Sequence, residues 1–309
     1  MKYNVFIDGA EGTTGLKIHE YFSRRDDINV IRIDEAKRKD MDERLSLIKK
    51  ADVSFLCLPD AASKEIAAAA PIECPLIDTS TAHRTAEGWV YGMPELCPEQ
   101  RDLIRNSTRI ANPGCHATGA ILLINPLVKA GIIGKDYPFA AFSLTGYSGG
   151  GKKMIAQYEG DEPYGLESPR QYGLVQRHKH LPEIMKYTGL ANNLSFMPVV
   201  ADYFSGMQVT VPVEGSFVDA EEPKYAVETI LKEYYKDQIM VNVVDSADEN
   251  GFIASDRLAG TNKLDIVIEG NDDNILLVAT YDNLGKGASG AAVQNMNILL
   301  GIDEEKGLL

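Results

Sequence analysis

Cysteine is scarce in this 309-residue chain: four residues, Cys57, Cys74, Cys97 and Cys115. No two of them stand in a CxxC spacing, which argues against a zinc ribbon or a disulfide framework. Histidine is scarce too, with five residues (His19, His83, His116, His178 and His180). No apolar run approaches the roughly 20 residues that a membrane-spanning helix needs, so no membrane partner is expected. Repeats and low-complexity tracts are absent. Positive charge is in deficit, with 31 Lys and Arg against 45 Asp and Glu and a formal net charge of −14. Such a surface repels nucleic-acid phosphates, although a small anion can still bind a local basic pocket. The N-terminal residues show no signal-peptide pattern, which makes the cytoplasm the expected compartment.

What is present has the length and balance of a two-domain globular protein, with 44% hydrophobic and 25% charged residues. The first half alternates strand-like runs (3–8, 28–33, 53–58, 76–78, 108–111) with helix-like segments (14–25, 40–50, 61–70, 99–106). That βα alternation predicts an α/β Rossmann-type parallel sheet covered on both faces. The second half changes character. Runs at 194–203 and 207–214 flank Ser205-Gly206, and runs within 264–281 flank Gly270–Asn274. Short polar turns between strands predict two hairpins, hence an α+β domain with a mostly antiparallel sheet. The expected units are 1–114, completed by a C-terminal helix within 286–309, and 115–285.

Residues 111–119 read Ala-Asn-Pro-Gly-Cys-His-Ala-Thr-Gly. The Pro-Gly bend places Cys115 at the start of an apolar helix, where unpaired backbone N–H groups favour a thiolate. This makes Cys115 a candidate nucleophile; the alternative is a small core residue.

Strand 3–8 runs into Gly9-Ala10-Glu11-Gly12-Thr13-Thr14-Gly15 and then a helix. A glycine triplet in the first βα turn is the setting that a dinucleotide pyrophosphate requires, so Gly9, Gly12, Thr13, Thr14 and Gly15 are candidate cofactor residues. After the second strand, Asp34 would suit a 2′-hydroxyl and NAD, while Arg32, Lys37, Arg38 and Lys39 would suit a 2′-phosphate and NADP. The residues alone leave both open.

His178 and His180 precede Leu181-Pro182-Glu183, a helix start with Pro in its first turn. Were 175–180 extended, both rings would share a side. An acid/base role is expected for one of them; metal binding is not, since no matching carboxylate or cysteine spacing accompanies them. Arg84, after the fourth strand, is a candidate for holding a carboxylate or phosphate. The Ser148-Gly149-Gly150-Gly151 loop exposes backbone N–H groups to a ligand.

Taken together these segments resemble the N-acetyl-γ-glutamyl-phosphate reductase family, particularly its shorter form. The resemblance rests on Gly9–Gly15, Ser80–Thr85, Tyr91–Leu96, Ala111–Gly119, Gly146–Lys153, His178–Glu183 and Asp282–Gly290, and covers essentially the whole chain. Longer members carry an aromatic where His116 stands and a different segment at 80–85. The resemblance implies NADP as cofactor and an acyl phosphate as substrate, with phosphate released. It also implies reduction to a semialdehyde in arginine biosynthesis and assembly as a homo-oligomer, a dimer or tetramer. By the same resemblance Cys115 carries the acyl group and His180 moves the proton, with His178 the close alternative. Arg32, Ser148, Gly149 and Asn283 join the cofactor residues, and Arg84, Asn112 and His178 the substrate residues.

Overall fold

The computed structural model describes residues 2–160 and 165–309, in two compact units. The first comprises residues 1–113 and 288–309, the second 114–287.

The first unit is built on six parallel strands: β1 (Tyr3–Asp8), β2 (Ile28–Ile31), β3 (Val53–Leu56), β4 (Leu76–Asp78), β5 (Val90–Tyr91) and β6 (Arg109–Ala111). Their spatial order is β2-β1-β3-β4-β6-β5. Four helices alternate with them: α1 (Thr13–Ser23), α2 (Met41–Lys50), α3 (Asp60–Ala69) and α4 (Gln100–Arg105). Val5, Phe6, Val53, Phe55, Leu76 and Ile77 are fully buried, as expected for strands covered on both faces. In α1 the buried positions Gly15, Ile18 and Phe22 recur at helical spacing and form the face turned to the sheet. The last helix of the chain, α9 (Gly290–Leu299), belongs to this unit and packs on α1, α4 and β4. Arg25 fastens the chain end to it, donating to Asn297 Oδ1 at 2.7 Å and to the Lys306 carbonyl at 3.0 Å.

The second unit holds a seven-stranded mixed sheet. Its strands are β7 (Ala140–Gly146), β8 (Arg170–Gln171), β9 (Ser195–Ala201), β10 (Met207–Glu214), β11 (Val241–Val243), β12 (Leu264–Gly270) and β13 (Asn274–Tyr281). The order is β11-β12-β13-β10-β7-β9-β8. Its helices are α5 (Cys115–Ala130), α6 (Gly151–Tyr158), α7 (Leu181–Thr188) and α8 (Pro223–Tyr235). Helix α5 is buried from His116 to Leu127 and packs against β10, β13, α7 and α8.

One of the two expected hairpins forms. Strands β12 and β13 pair antiparallel through the 271–273 turn. The other does not, because β7 lies between β9 and β10, parallel to the first and antiparallel to the second. Its sequence, Ala-Ala-Phe-Ser-Leu-Thr-Gly, is poor in the β-branched and aromatic residues that mark strands. The 203–206 turn accordingly bonds to the end of β7: Gly146 N–H donates to the Gly206 carbonyl at 3.0 Å and Tyr147 N–H to that of Tyr203 at 2.9 Å.

Candidate functional site

Two constellations carry the candidate residues, one in each unit. In the first, Gly9 adopts φ +84°, and a side chain there would run into the Cys57 carbonyl. A Cβ on Gly15 would lie 2.7 Å from the Gly9 carbonyl oxygen, so that glycine lets α1 close onto the turn. Gly12 differs: a Cβ there would meet nothing nearer than 3.4 Å. Its openness leaves room at the N-terminus of α1, where unpaired N–H groups attract anions. Thr13 opens the helix, and its buried hydroxyl has no partner among the described residues. A cradle with an orphaned hydroxyl fits a dinucleotide pyrophosphate.

Beyond β2, Arg32 is exposed. Its neighbours have other duties: Asp34 accepts from Ala36 N–H at 2.9 Å, Lys37 meets Glu43 at 3.2 Å and Arg38 meets Glu35 at 2.8 Å. Beneath the glycine turn, Asp8 is buried with Arg44 3.5 Å away. Burial outweighs that cation and pushes the Asp8 carboxyl up to about 6.

Arg84 is buried, and its guanidinium donates to the carbonyls of Asn112 at 3.0 Å and Thr79 at 3.3 Å. Asn112 is fully buried; its amide donates to the Ala288 carbonyl at 2.9 Å and its Oδ1 accepts from Asn295 at 3.1 Å. These two candidates thus brace the loop that leads to Cys115.

In the second unit, Cys115 is the first residue of α5, after Gly114 in extended conformation at the N-cap. The thiol residue is half-buried. Gly114 N–H donates to Glu183 Oε2 at 3.1 Å, and Glu183 Oε1 lies 4.0 Å from His180 Nε2. One buried carboxylate therefore ties the backbone before the thiol to a buried imidazole. Gly287 passes so close that a Cβ on it would be 3.0 Å from that of Cys115. A tyrosine also braces the first turn of α5. Gly119 N–H donates to the Tyr281 hydroxyl at 3.1 Å, and that hydroxyl donates to the Cys115 carbonyl at 2.6 Å. The Tyr281 hydroxyl thus bridges the two backbone groups of that turn.

Residues 175–180 form a turn rather than an extended segment, with Gln176 at φ +53° and Leu181 N–H donating to the His178 carbonyl at 3.1 Å. The turn still gathers the imidazoles: ring centroids are 4.8 Å apart for His178 and His180, 5.5 Å for His116 and His180, and 5.7 Å for His116 and His178. His178 Nδ1 accepts from His180 N–H at 3.3 Å, whereas the His180 ring faces Glu183. Ser148, Gly149 and Asn283 also come together: Asn283 Nδ2 donates to Ser148 Oγ at 2.9 Å, and a Cβ on Gly149 would lie 3.5 Å from that nitrogen.

Sequence reasoning passed over Glu183, Tyr281 and Tyr172. Glu183 stands three residues after His180, a spacing that brings side chains together on a helix. Tyr281 has no local signal, being 166 residues from the carbonyl it meets.

The comparisons agree with this division. Residues 4–104 match the semialdehyde dehydrogenase NAD-binding domain, and residues 115–283 the semialdehyde dehydrogenase dimerisation domain. The chain is 41% identical to "N-acetyl-gamma-glutamyl-phosphate reductase 2" of Nostoc sp., covering 99% of each chain. It is 42% identical to the N-acetyl-gamma-glutamyl-phosphate reductase of Brucella ovis, over 97% of this chain and 100% of that one. Among solved structures, Vibrio cholerae aspartate semialdehyde dehydrogenase II superposes with TM-score 0.70 at 17% identity, covering 97% of this chain and 99% of the other. The Candida albicans aspartate semialdehyde dehydrogenase with NADP gives 0.69 at 15%, with the same coverage. At such identities the structural likeness is one of fold.

Proposed function

Because the chain belongs to the N-acetyl-γ-glutamyl-phosphate reductase family, we propose that it reduces N-acetyl-γ-glutamyl phosphate to N-acetylglutamate 5-semialdehyde, releasing phosphate, in arginine biosynthesis. The observation that carries this reading is Cys115 at the N-terminus of α5, with Glu183 joining its preceding N–H to His180.

An acyl phosphate is a good acylating agent but a poor hydride acceptor, so the chemistry divides into two steps. The Cys115 thiolate attacks the acyl carbon and the C–O bond to phosphate breaks, leaving a thioester. When bound, NADPH supplies the hydride. His180 keeps the thiol deprotonated at the start and gives a proton as the C–S bond breaks and the aldehyde leaves. Backbone N–H groups at the start of α5 face the developing oxyanion.

Gly9, Gly12, Thr13, Thr14 and Gly15 would hold the pyrophosphate. Arg32, exposed beyond β2, supports NADP over NAD, since a guanidinium pairs well with a 2′-phosphate. Ser148, Gly149 and Asn283 complete the cofactor set. For the substrate, His178 is the candidate group in the second unit, with Arg84 and Asn112 holding the loop before the nucleophile. The match to a dimerisation domain supports a homo-oligomer. No helix among the described residues is long and apolar enough to cross a membrane, in keeping with a cytoplasmic enzyme.

The test runs the reaction backwards, measuring phosphate-dependent NADP reduction with N-acetylglutamate semialdehyde and with aspartate semialdehyde. Faster turnover of the first is expected; faster turnover of the second would assign the chain to another acyl phosphate.

A further inference from the structure

The residue after the nucleophile, His116, is 2% exposed, and both its ring nitrogens are engaged. Nδ1 lies 2.7 Å from Ser143 Oγ and Nε2 lies 2.7 Å from the Tyr172 hydroxyl. We propose that Tyr172 donates a hydrogen bond to the acyl oxygen of the substrate carried on Cys115, and that His116 and Ser143 fix the direction of its hydroxyl. The proposal rests on the acyl-transfer reading above and adds a residue to it.

Proton counting sets the direction. Burial, with the positive field of His178 and Lys179, pulls His116 down to about 3, so its ring is neutral and carries one N–H. Ser143 is fully buried on β7, and among the described residues its hydroxyl meets only His116 Nδ1. Were Nδ1 the protonated nitrogen, the Ser143 hydrogen would be buried without an acceptor, and the desolvation cost of an unpaired donor disfavours that tautomer. The favoured chain therefore runs from Ser143 O–H to Nδ1, and from Nε2–H to the Tyr172 oxygen. The Tyr172 hydrogen then points away from His116.

Tyr172 is half-buried, and its ring lies 5.7 Å from that of His178, which places the phenol among the imidazoles gathered at the start of α5. Burial first, and then the charge of Cys115, push the phenol above its ordinary value, so it stays protonated. When the thiolate adds to the acyl carbon, the carbonyl electron pair moves onto oxygen and the phenol hydrogen bond strengthens. No proton is transferred. His116 and Ser143 are positioning residues, and Tyr172 touches the reacting atom.

Two measurements test this. Heteronuclear NMR of isotopically labelled histidine in the wild-type protein should show His116 as the Nε2–H tautomer; an Nδ1–H tautomer overturns the proposal. Tyr172→Phe should lower kcat with the acyl phosphate by about 10²-fold, with KM little changed and Cys115 alkylated at the wild-type rate. An unchanged kcat, or a rise in KM alone, also overturns it. His116→Phe should cost less, and the double variant no more than Tyr172→Phe, since both act through one hydroxyl. Additive losses would contradict that coupling. If the wild-type protein does not reduce the acyl phosphate, the functional reading fails, while the tautomer still decides the direction of the hydroxyl.

Discussion

Replacing Tyr281 by Phe removes one oxygen atom from the turn that presents Cys115. That oxygen accepts from Gly119 N–H at 3.1 Å and donates to the Cys115 carbonyl at 2.6 Å. In its absence Gly119 N–H and the Cys115 carbonyl, four residues apart at the start of α5, keep only their helical bond to each other. Each loses its bond to the hydroxyl, at about 0.5–1.5 kcal/mol per hydrogen bond. The two together give an expected destabilisation of about 1–3 kcal/mol, read by urea unfolding. Loss of the brace also lets the nucleophile shift, and a displacement of about 1 Å costs on the order of 10²-fold in rate. We expect kcat to fall about 10- to 100-fold by that argument, with slower alkylation of Cys115 by iodoacetamide. Stability lost with kcat and alkylation unchanged would refute the link between the braced turn and the thiol. No change in any of the three would refute the hydrogen-bond geometry itself.

Asp8 predicts a pH effect on stability. Its folded carboxyl is raised from 3.8 to about 6, so stability is lost as pH rises through that window, by roughly 2–3 kcal/mol at 1.36 kcal/mol per pKa unit. Asp8→Asn should remove that loss, making the variant gain on wild type between acid and neutral pH in urea unfolding; parallel profiles would contradict the burial argument. Glu183→Gln keeps an acceptor for Gly114 N–H but removes the charge facing His180; kcat should fall about tenfold or more with the folded structure retained by circular dichroism. Arg32→Glu should raise KM for NADPH about tenfold while leaving that for NADH unaffected, and an equal effect on both cofactors would remove Arg32 from 2′-phosphate recognition.

The parallel sheet was legible because its strands are mostly apolar runs separated by helical segments, as in Val53–Leu56, interrupted only by Ser54 and followed by α3. Helix α5 was legible from Pro113-Gly114 and the apolar run that follows. Strand β7 was not, since Ala140-Ala141 and Ser143 carry little strand signal, and with β7 missed a hairpin between β9 and β10 was the natural expectation. Strands β5 and β11, of two and three residues, are too short to show a period. The candidate site divides similarly. Cys115, the glycine turn and the histidine pair announce themselves through Gly, Pro and spacing, which are local properties. Glu183 reads in sequence as an ordinary first-turn acid, and its second role appears only when α7 packs on α5. Tyr172 and Tyr281 act through contacts that close loops of 56 and 166 residues, and no local pattern encodes such contacts.

The central claim is a covalent acyl group on Cys115. Enzyme mixed with N-acetyl-γ-glutamyl phosphate in the absence of NADPH, quenched in acid and analysed by mass spectrometry, should carry the acyl group on Cys115, with one equivalent of phosphate released. Cys115→Ser should show neither. Phosphate release and NADPH oxidation at wild-type rates in Cys115→Ser, or no adduct on a wild-type enzyme that turns over, would contradict the account.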